Sequence, residues 1–104
     1  MVEDAILLKN NERESLEAES RVLRSKLQAN TSDVGDWKII KALEYQLVNK
    51  EIPYDITELN KERQVIRNRI NEINIRLAEL EGEINELMIK LAVEFEGQRE
   101  TELE

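Results

Sequence analysis

The fold of this chain is decided by the stretch ITELNKERQVIRNRINEINIRLAELEGEINELMIKL, which covers residues 56–91. Apolar side chains recur along it at alternating steps of three and four residues over five heptads, which is the spacing of the a and d positions of a coiled coil. The seam positions are Ile56, Leu59, Arg63, Ile66, Ile70, Ile73, Leu77, Leu80, Ile84, Leu87 and Leu91. The pattern predicts one long helix over residues 56–96, with Asp55 as its N-cap and Glu58 completing a capping box.

Two shorter helices precede this one. A diluted apolar stripe predicts helix 1 over residues 3–30. Residues 33–49 predict helix 2, with Ser32 as its candidate N-cap. Gly35 falls in the first turn of helix 2 and favours a kink or a late start there, because glycine costs a helix interior about 1 kcal/mol relative to alanine.

The small number of glycine and proline residues indicates the fold class. Three glycines and one proline are too few to separate the strands of a sandwich or barrel. Pro53 biases the residue before it away from helix and separates helices 2 and 3. We therefore expect an all-α fold, with residues 1–104 forming a single helical domain whose acidic tail, residues 97–104, frays.

The lengths of the helices predict self-association. Short connections usually make consecutive helices antiparallel neighbours, so helix 2 would cover helix 3 only as far as Ile73. The seam beyond that point would find no partner in its own chain. The predicted oligomer interface consists of Ile73, Leu77, Leu80, Ile84, Leu87 and Leu91. We expect a homo-oligomeric helical bundle, a dimer or larger.

The composition excludes several functional classes. The chain contains no cysteine and no histidine, which removes thiolate nucleophiles and the commonest general base and metal ligand. We therefore expect no enzyme, no cofactor and no metal. With 15 basic and 23 acidic residues the formal charge is −8, which disfavours direct DNA binding and suits a basic partner surface. No apolar run approaches the roughly 18 residues of a membrane span, so we expect a cytoplasmic protein.

One segment gathers the polar aromatic residues. The only tryptophan and both tyrosines lie within residues 37–54. Two lysines of helix 2 share a helical face with Tyr45, and ammonium groups beside aromatic rings can hold phosphate oxygens and stack a base. Two arginines of helix 3 could add bidentate phosphate contacts. The predicted ligand-binding residues are Trp37, Lys38, Lys41, Tyr45, Tyr54, Arg63 and Arg67.

Two alternatives stand beside this ligand site. The lysines are equally consistent with a solvated face, and the aromatic rings with a packed interface. Arg63 occupies an a position of the seam, where a charge is costly and often fixes register or forms an ion pair. The sequence leaves a ligand role and an ion-pair role open for this arginine.

Three runs of the chain resemble a signature of small helical proteins of bacteriophages and prophages. They are GDWKIIK (35–41), PYDI (53–56) and RNRINEI (67–73), and the resemblance covers residues 32–74. It implies a protein that neutralises a host defence component in the bacterial cytoplasm. We expect it to sequester a phosphate-bearing nucleotide immune signal at a subunit junction. The alternatives are an acidic inhibitor of a nucleic-acid-handling effector, such as a CRISPR nuclease, and a structural coiled-coil adaptor or assembly protein.

Overall fold

The computed structural model describes the backbone of residues 1–103 and the side chains of residues 1–97. Within that range it contains three helices and no strand. The helices are α1 (Val2–Gln28), α2 (Asp36–Leu47) and α3 (Ile56–Leu103). The predicted all-α fold with a long C-terminal helix is therefore confirmed.

The start of α3 agrees with the prediction. The Asp55 side chain accepts a hydrogen bond from the backbone N–H of Glu58 at 3.1 Å, which satisfies one of the unpaired donors of the first helical turn. At its other end α3 continues to Leu103, past the predicted end near residue 96. The predicted fraying of residues 97–104 stays a prediction, because the side chains beyond Gly97 lie outside the described residues.

Helix α2 starts at Asp36 with Gly35 as its N-cap, which confirms the late start that Gly35 favours. The prediction of Ser32 as N-cap is wrong. A Cβ atom at residue 35 would lie 2.4 Å from the carbonyl oxygen of Ala29, so only glycine permits this close approach of the two backbone segments. The connection between α1 and α2 is therefore tighter than the sequence pattern suggests, and it delays the first turn of α2.

The end of α2 is set by Asn49, which adopts a left-handed conformation with φ 55°. The backbone N–H of Lys50 donates to the carbonyl oxygen of Tyr45 at 2.9 Å. This six-residue hydrogen bond around a left-handed residue is the Schellman ending of a helix, in which asparagine is one of the few non-glycine residues tolerated.

The chain forms two compact units, to which both long helices contribute. Unit 1 consists of Met1–Glu17 and Asn74–Glu104, and unit 2 consists of Ala18–Ile73. Whether the two units form the single predicted domain stays a prediction.

In unit 1, α1 runs antiparallel to α3. The Lys9 ammonium lies 3.4 Å from the Glu83 carboxylate, and Arg76 pairs with Glu12 through two hydrogen bonds of 2.9 and 3.0 Å. As the residue number rises along α1, the number of its partner on α3 falls, which defines opposite directions.

In unit 2, α1 and α2 both run opposite to α3. Glu19 of α1 accepts hydrogen bonds from Arg69 at 2.5 and 3.1 Å, and the carbonyl oxygen of Leu27, further along α1, faces the earlier Arg63. The start of α2 lies beside Arg63 as well, whereas its middle and end share a cavity with the beginning of α3. The short connection between α1 and α2 therefore does not reverse the chain direction, contrary to the assumption behind the predicted topology.

This topology corrects the argument for self-association. Ile73 and Leu80 are fully buried and Ile84 is 5% exposed within a single chain, while Leu77, Leu87 and Leu91 are half-buried. The premise that this part of the seam lacks a partner in its own chain is wrong, because the first half of α1 runs antiparallel to α3 alongside it. Homo-oligomerisation stays a prediction, without that premise.

The ion pairs between α1 and α3 shift the pKa values of the groups that form them. The hydrogen bonds from Arg76 lower the pKa of Glu12 below its usual value of 4.5, and those from Arg69 lower the pKa of Glu19 in the same way. The carboxylates raise the pKa of both arginines in return. These pairs lie at the surface, where ion pairs add little stability, so we assign them a role in selecting the register of the two helices.

Arg63 joins all three helices of unit 2. Its guanidinium donates to the carbonyl oxygen of Val34 at 2.6 Å, to Asp36 Oδ1 at 2.6 Å and, at a longer 3.4 Å, to the carbonyl oxygen of Leu27. Leu27 belongs to the last turn of α1, whose carbonyl groups lack partners within the helix and carry the negative end of its dipole. The buried cation therefore satisfies the end of α1 and fixes the start of α2 against α3.

Arg63→Ala should destabilise the fold by roughly 1–3 kcal/mol, because it leaves the partly buried carbonyl groups of Leu27 and Val34 without their donor. Arg67→Ala is the matched control. That arginine is exposed, one turn further along the same helix, and its removal should change the free energy of unfolding by less than about 0.5 kcal/mol. Urea denaturation followed by circular dichroism measures both values. Equal losses in the two variants would contradict the anchoring role of Arg63.

Candidate functional site

The structure brings part of the predicted ligand site together in unit 2. The rings of Trp37 and Tyr54 meet edge to face, with centroids 6.1 Å apart and an interplanar angle of 87°. The Trp37 indole N–H donates to the carbonyl oxygen of Ser32 at 2.7 Å, which fixes the ring against the connection between α1 and α2. Tyr54 follows Pro53 in the connection between α2 and α3. The contact between the rings of Trp37 and Tyr54 therefore joins residues that are 17 positions apart in sequence.

Lysine ammonium groups cover these rings. The Lys38 Nζ lies 4.9 Å from the centroid of Tyr54 and 5.7 Å from that of Trp37. The Lys41 Nζ lies 5.8 Å from the Tyr45 centroid and 5.9 Å from that of Tyr54. We call these five residues the aromatic–lysine cluster. At such distances a cation is attracted to the negative face of an aromatic ring, so the cluster also contributes to packing the α2–α3 connection.

A surface cavity of about 520 Å³ adjoins the aromatic–lysine cluster. Besides Lys38, Tyr54 and Leu59, its lining consists of four carboxylate residues, namely Asp33, Asp55, Glu58 and Glu62. Four negative groups against one lysine create a potential that repels a phosphate and attracts a cation. The sequence pattern missed this feature, because the acids come from the α1–α2 connection and from the first turns of α3.

The two predicted arginine ligands lie elsewhere. Arg63 is buried, and its guanidinium is engaged by backbone carbonyls and Asp36, which is the ion-pair alternative. Arg67 is exposed and donates to Gln64 Oε1 at 3.2 Å. Neither arginine lines the cavity beside the cluster. The structure therefore joins Trp37, the two lysines and both tyrosines, and it separates the arginines from them.

The apolar face of α2 is exposed. Ile40, Leu43 and Leu47 share the face that the sequence pattern marks as apolar, yet each is more than half exposed. The buried residue of α2 is Ala42. Ala42 lines a small cavity with Ile56 and Asn60 at the start of α3.

The net charge of the chain is confined to unit 1. This unit contains 14 acidic and five basic residues, a net charge of −9, whereas unit 2 contains nine acidic and ten basic residues, a net charge of +1. Glu81, Glu86 and Glu94 of unit 1 are exposed and have no ion pair among the described residues. A strongly acidic surface therefore belongs to one part of the molecule, where it can concentrate a basic partner.

The comparisons with known proteins add no relative. The sequence matches no family model, and neither a curated protein nor a solved structure matches it. Among the described residues no helix is long and apolar enough to cross a membrane. The same residues contain no group of three or more acidic side chains placed to hold a metal ion.

The sequence contains a second signal, apart from the apolar seam, that indicates the ion pairs between α1 and α3. Glu12 and Glu19 are seven residues apart on α1, and Arg69 and Arg76 are seven residues apart on α3. Equal spacing of opposite charges on two helices favours their direct pairing, and the order of the observed pairs is antiparallel. Matching these spacings would have identified α1 as the cover of the long helix.

Proposed function

We propose that the chain is a non-enzymatic binding protein whose acidic unit 1 binds a basic surface of a protein partner. The observation that carries this proposal is the division of charge, −9 in unit 1 against +1 in unit 2. A concentrated field of one sign accelerates encounter with a partner of the other sign and aligns it before contact.

The resemblance to small phage proteins suggests the class of partner. A host effector that handles nucleic acid, such as a CRISPR nuclease, holds the phosphate backbone in a groove lined by lysine and arginine. An acidic helical surface competes for such a groove by the same electrostatic attraction. The unpaired, exposed carboxylates of Glu81, Glu86 and Glu94 supply charges that are free to pair with the partner.

The test compares charge removal in the two units. Replacing the three glutamates Glu81, Glu86 and Glu94 by glutamine should abolish protection of a phage against a CRISPR nuclease in a plaque assay. The matched control, with glutamine at Glu44, Glu51 and Glu62 of unit 2, changes the net charge equally and should protect as the wild type does.

The same variants should differ in vitro. Binding of the wild type to the purified nuclease should weaken steeply as salt rises through the range in which the Debye length falls from ~10 Å to ~3 Å. The unit 1 variant should bind weakly at all salt concentrations. Equal behaviour of the two variants, or binding insensitive to salt, would contradict the proposal.

A second candidate is sequestration of a phosphate-bearing nucleotide signal. The convergence of Lys38 and Lys41 on three aromatic rings supports it, and the four carboxylates of the neighbouring cavity oppose it. We therefore place it after the acidic binding mode.

Sequestration predicts that cyclic or linear nucleotides bind the wild type in calorimetry and that Lys38→Glu with Lys41→Glu abolishes binding while the helical content stays unchanged. Lys26→Glu with Lys61→Glu is the control, because both lysines are exposed and lie outside the cluster. Absence of binding to the wild type, or equal binding by both variants, would remove this candidate.

A further inference from the structure

Helix α3 carries a second ladder of uncharged residues in unit 1, on the side opposite the buried seam. Its members again alternate at steps of three and four residues. They are Ile75, Ala78, Gly82, Asn85, Ile89 and Ala92, and all are exposed. We call this set the outer ladder. In a chain of which 37% is charged, an uncharged row along five turns of an exposed helix face departs from the usual solvated surface.

The exposed side chains of the outer ladder include large apolar ones. Ile75 is 63% exposed and Ile89 is 64% exposed, and Met88, Val93 and Phe95 beside the ladder are each more than half exposed. Single apolar residues are common on protein surfaces. Five of the six ladder positions are apolar or glycine, interrupted by Asn85, and such a row at coiled-coil spacing is the pattern by which one helix packs against another.

Gly82 in the middle of the outer ladder points to close contact with another backbone. Glycine weakens a helix interior, and nothing in this fold requires it: its φ is not positive, and a Cβ atom added there would meet nothing within 4 Å. The absent side chain, flanked by Ala78 and Asn85 one turn away, leaves space for a second helix to approach closely.

The charges beside the outer ladder define the occupant. Glu79 and Glu86 flank it on one side and Glu81 on the other, and of these only Glu79 has an ion pair within the described structure, with Arg76. A second copy of this helix would set glutamates against glutamates, which is unfavourable. A helix with lysine or arginine beside its apolar row would instead form opposite-sign pairs on both sides.

We infer that the outer ladder is the docking surface for one amphipathic helix of a partner protein, with small and apolar residues in its row and lysine or arginine beside them. This inference rests on the proposed function and assigns the acidic unit its contact face. The row of the partner helix packs over Gly82 between Ile75 and Ile89, and its cations meet Glu81 and Glu86 at the rim.

The probe for this surface is a synthetic peptide of three heptads, with alanine and leucine in the row and lysine on both sides of it. A permuted peptide of identical composition has no row. We expect the ordered peptide to bind at least about tenfold more tightly than the permuted one, a difference of about 1.4 kcal/mol. Ile75→Ser with Ile89→Ser should remove this preference and leave the weak, charge-driven binding of both peptides.

Two further variants control for folding and for general apolarity. Leu7→Ser with Leu8→Ser removes two exposed leucines of α1 in the same unit and should retain the preference for the ordered peptide. Gly82→Leu fits the free helix, since the added side chain starts in open space, so it should raise the melting temperature. It should also lower affinity for the ordered peptide at least about tenfold, because it blocks the close approach.

The outcomes separate the two proposals. Equal affinity for ordered and permuted peptides would overturn the outer ladder as a docking surface while leaving charge-driven binding intact. Failure of both lysine peptides to bind would contradict the proposed function as well. Sedimentation equilibrium without peptide tests the remaining occupant: a dimer that is lost in the Ile75→Ser, Ile89→Ser variant would make a second copy the occupant and overturn the inference.

Discussion

Helix α3 has 48 residues and an apolar seam that must be buried. Helix α1 packs on this seam, and the rest of the structure depends on that contact. Because α1 and α3 pair in opposite directions, the deepest side chains of the seam, Ile73 and Leu80, are removed from water within one chain. The burial of apolar side chains is the main favourable contribution to the free energy of folding. The surface ion pairs between the two helices add little free energy, but they fit only one register.

The second constraint is the buried guanidinium of Arg63. An arginine in an apolar seam is costly unless its donors are satisfied. Here a carboxylate and two backbone carbonyls accept hydrogen bonds from the two terminal nitrogens, whereas the buried Nε donates to no described group. The same contacts hold the connection between α1 and α2 in place. The residue that interrupts the seam therefore also holds the start of α2 against α3.

Sequence reasoning succeeded where the signal is local. The seam of α3, its Asp55 cap and the presence of three helices follow from periodicity and capping chemistry. The prediction is wrong at the connection between α1 and α2, because a short loop predicts a reversal of the chain that does not occur there. Loop length alone does not determine the direction of the next helix. That direction depends on the close approach of Gly35 to Ala29 within the connection and on the contacts of Arg63, which join residues 27 to 36 positions apart in sequence.

In the candidate site, too, the features within one helix were predictable and those that join separate segments were not. Convergence of Lys38, Lys41 and Tyr45 follows from the geometry of one helix and was predictable. The acidic lining of the neighbouring cavity comes from segments that only the fold brings together. The uneven distribution of charge along the chain is visible in the sequence, but the joining of its two acidic ends in one unit follows only from the pairing of α1 with α3.

The whole fold depends on the antiparallel pairing of α1 and α3. Distances between spin labels on the two helices test this pairing. The chain has no cysteine, so labels can be placed at Asp4→Cys with Lys90→Cys and, separately, at Asp4→Cys with Ala78→Cys, all exposed positions of unit 1. Dilution with unlabelled chain restricts the signal to pairs within one molecule. Antiparallel pairing predicts the shorter distance for positions 4 and 90, since residue 78 lies about 18 Å from residue 90 along the axis of α3. A shorter distance for positions 4 and 78 would contradict it.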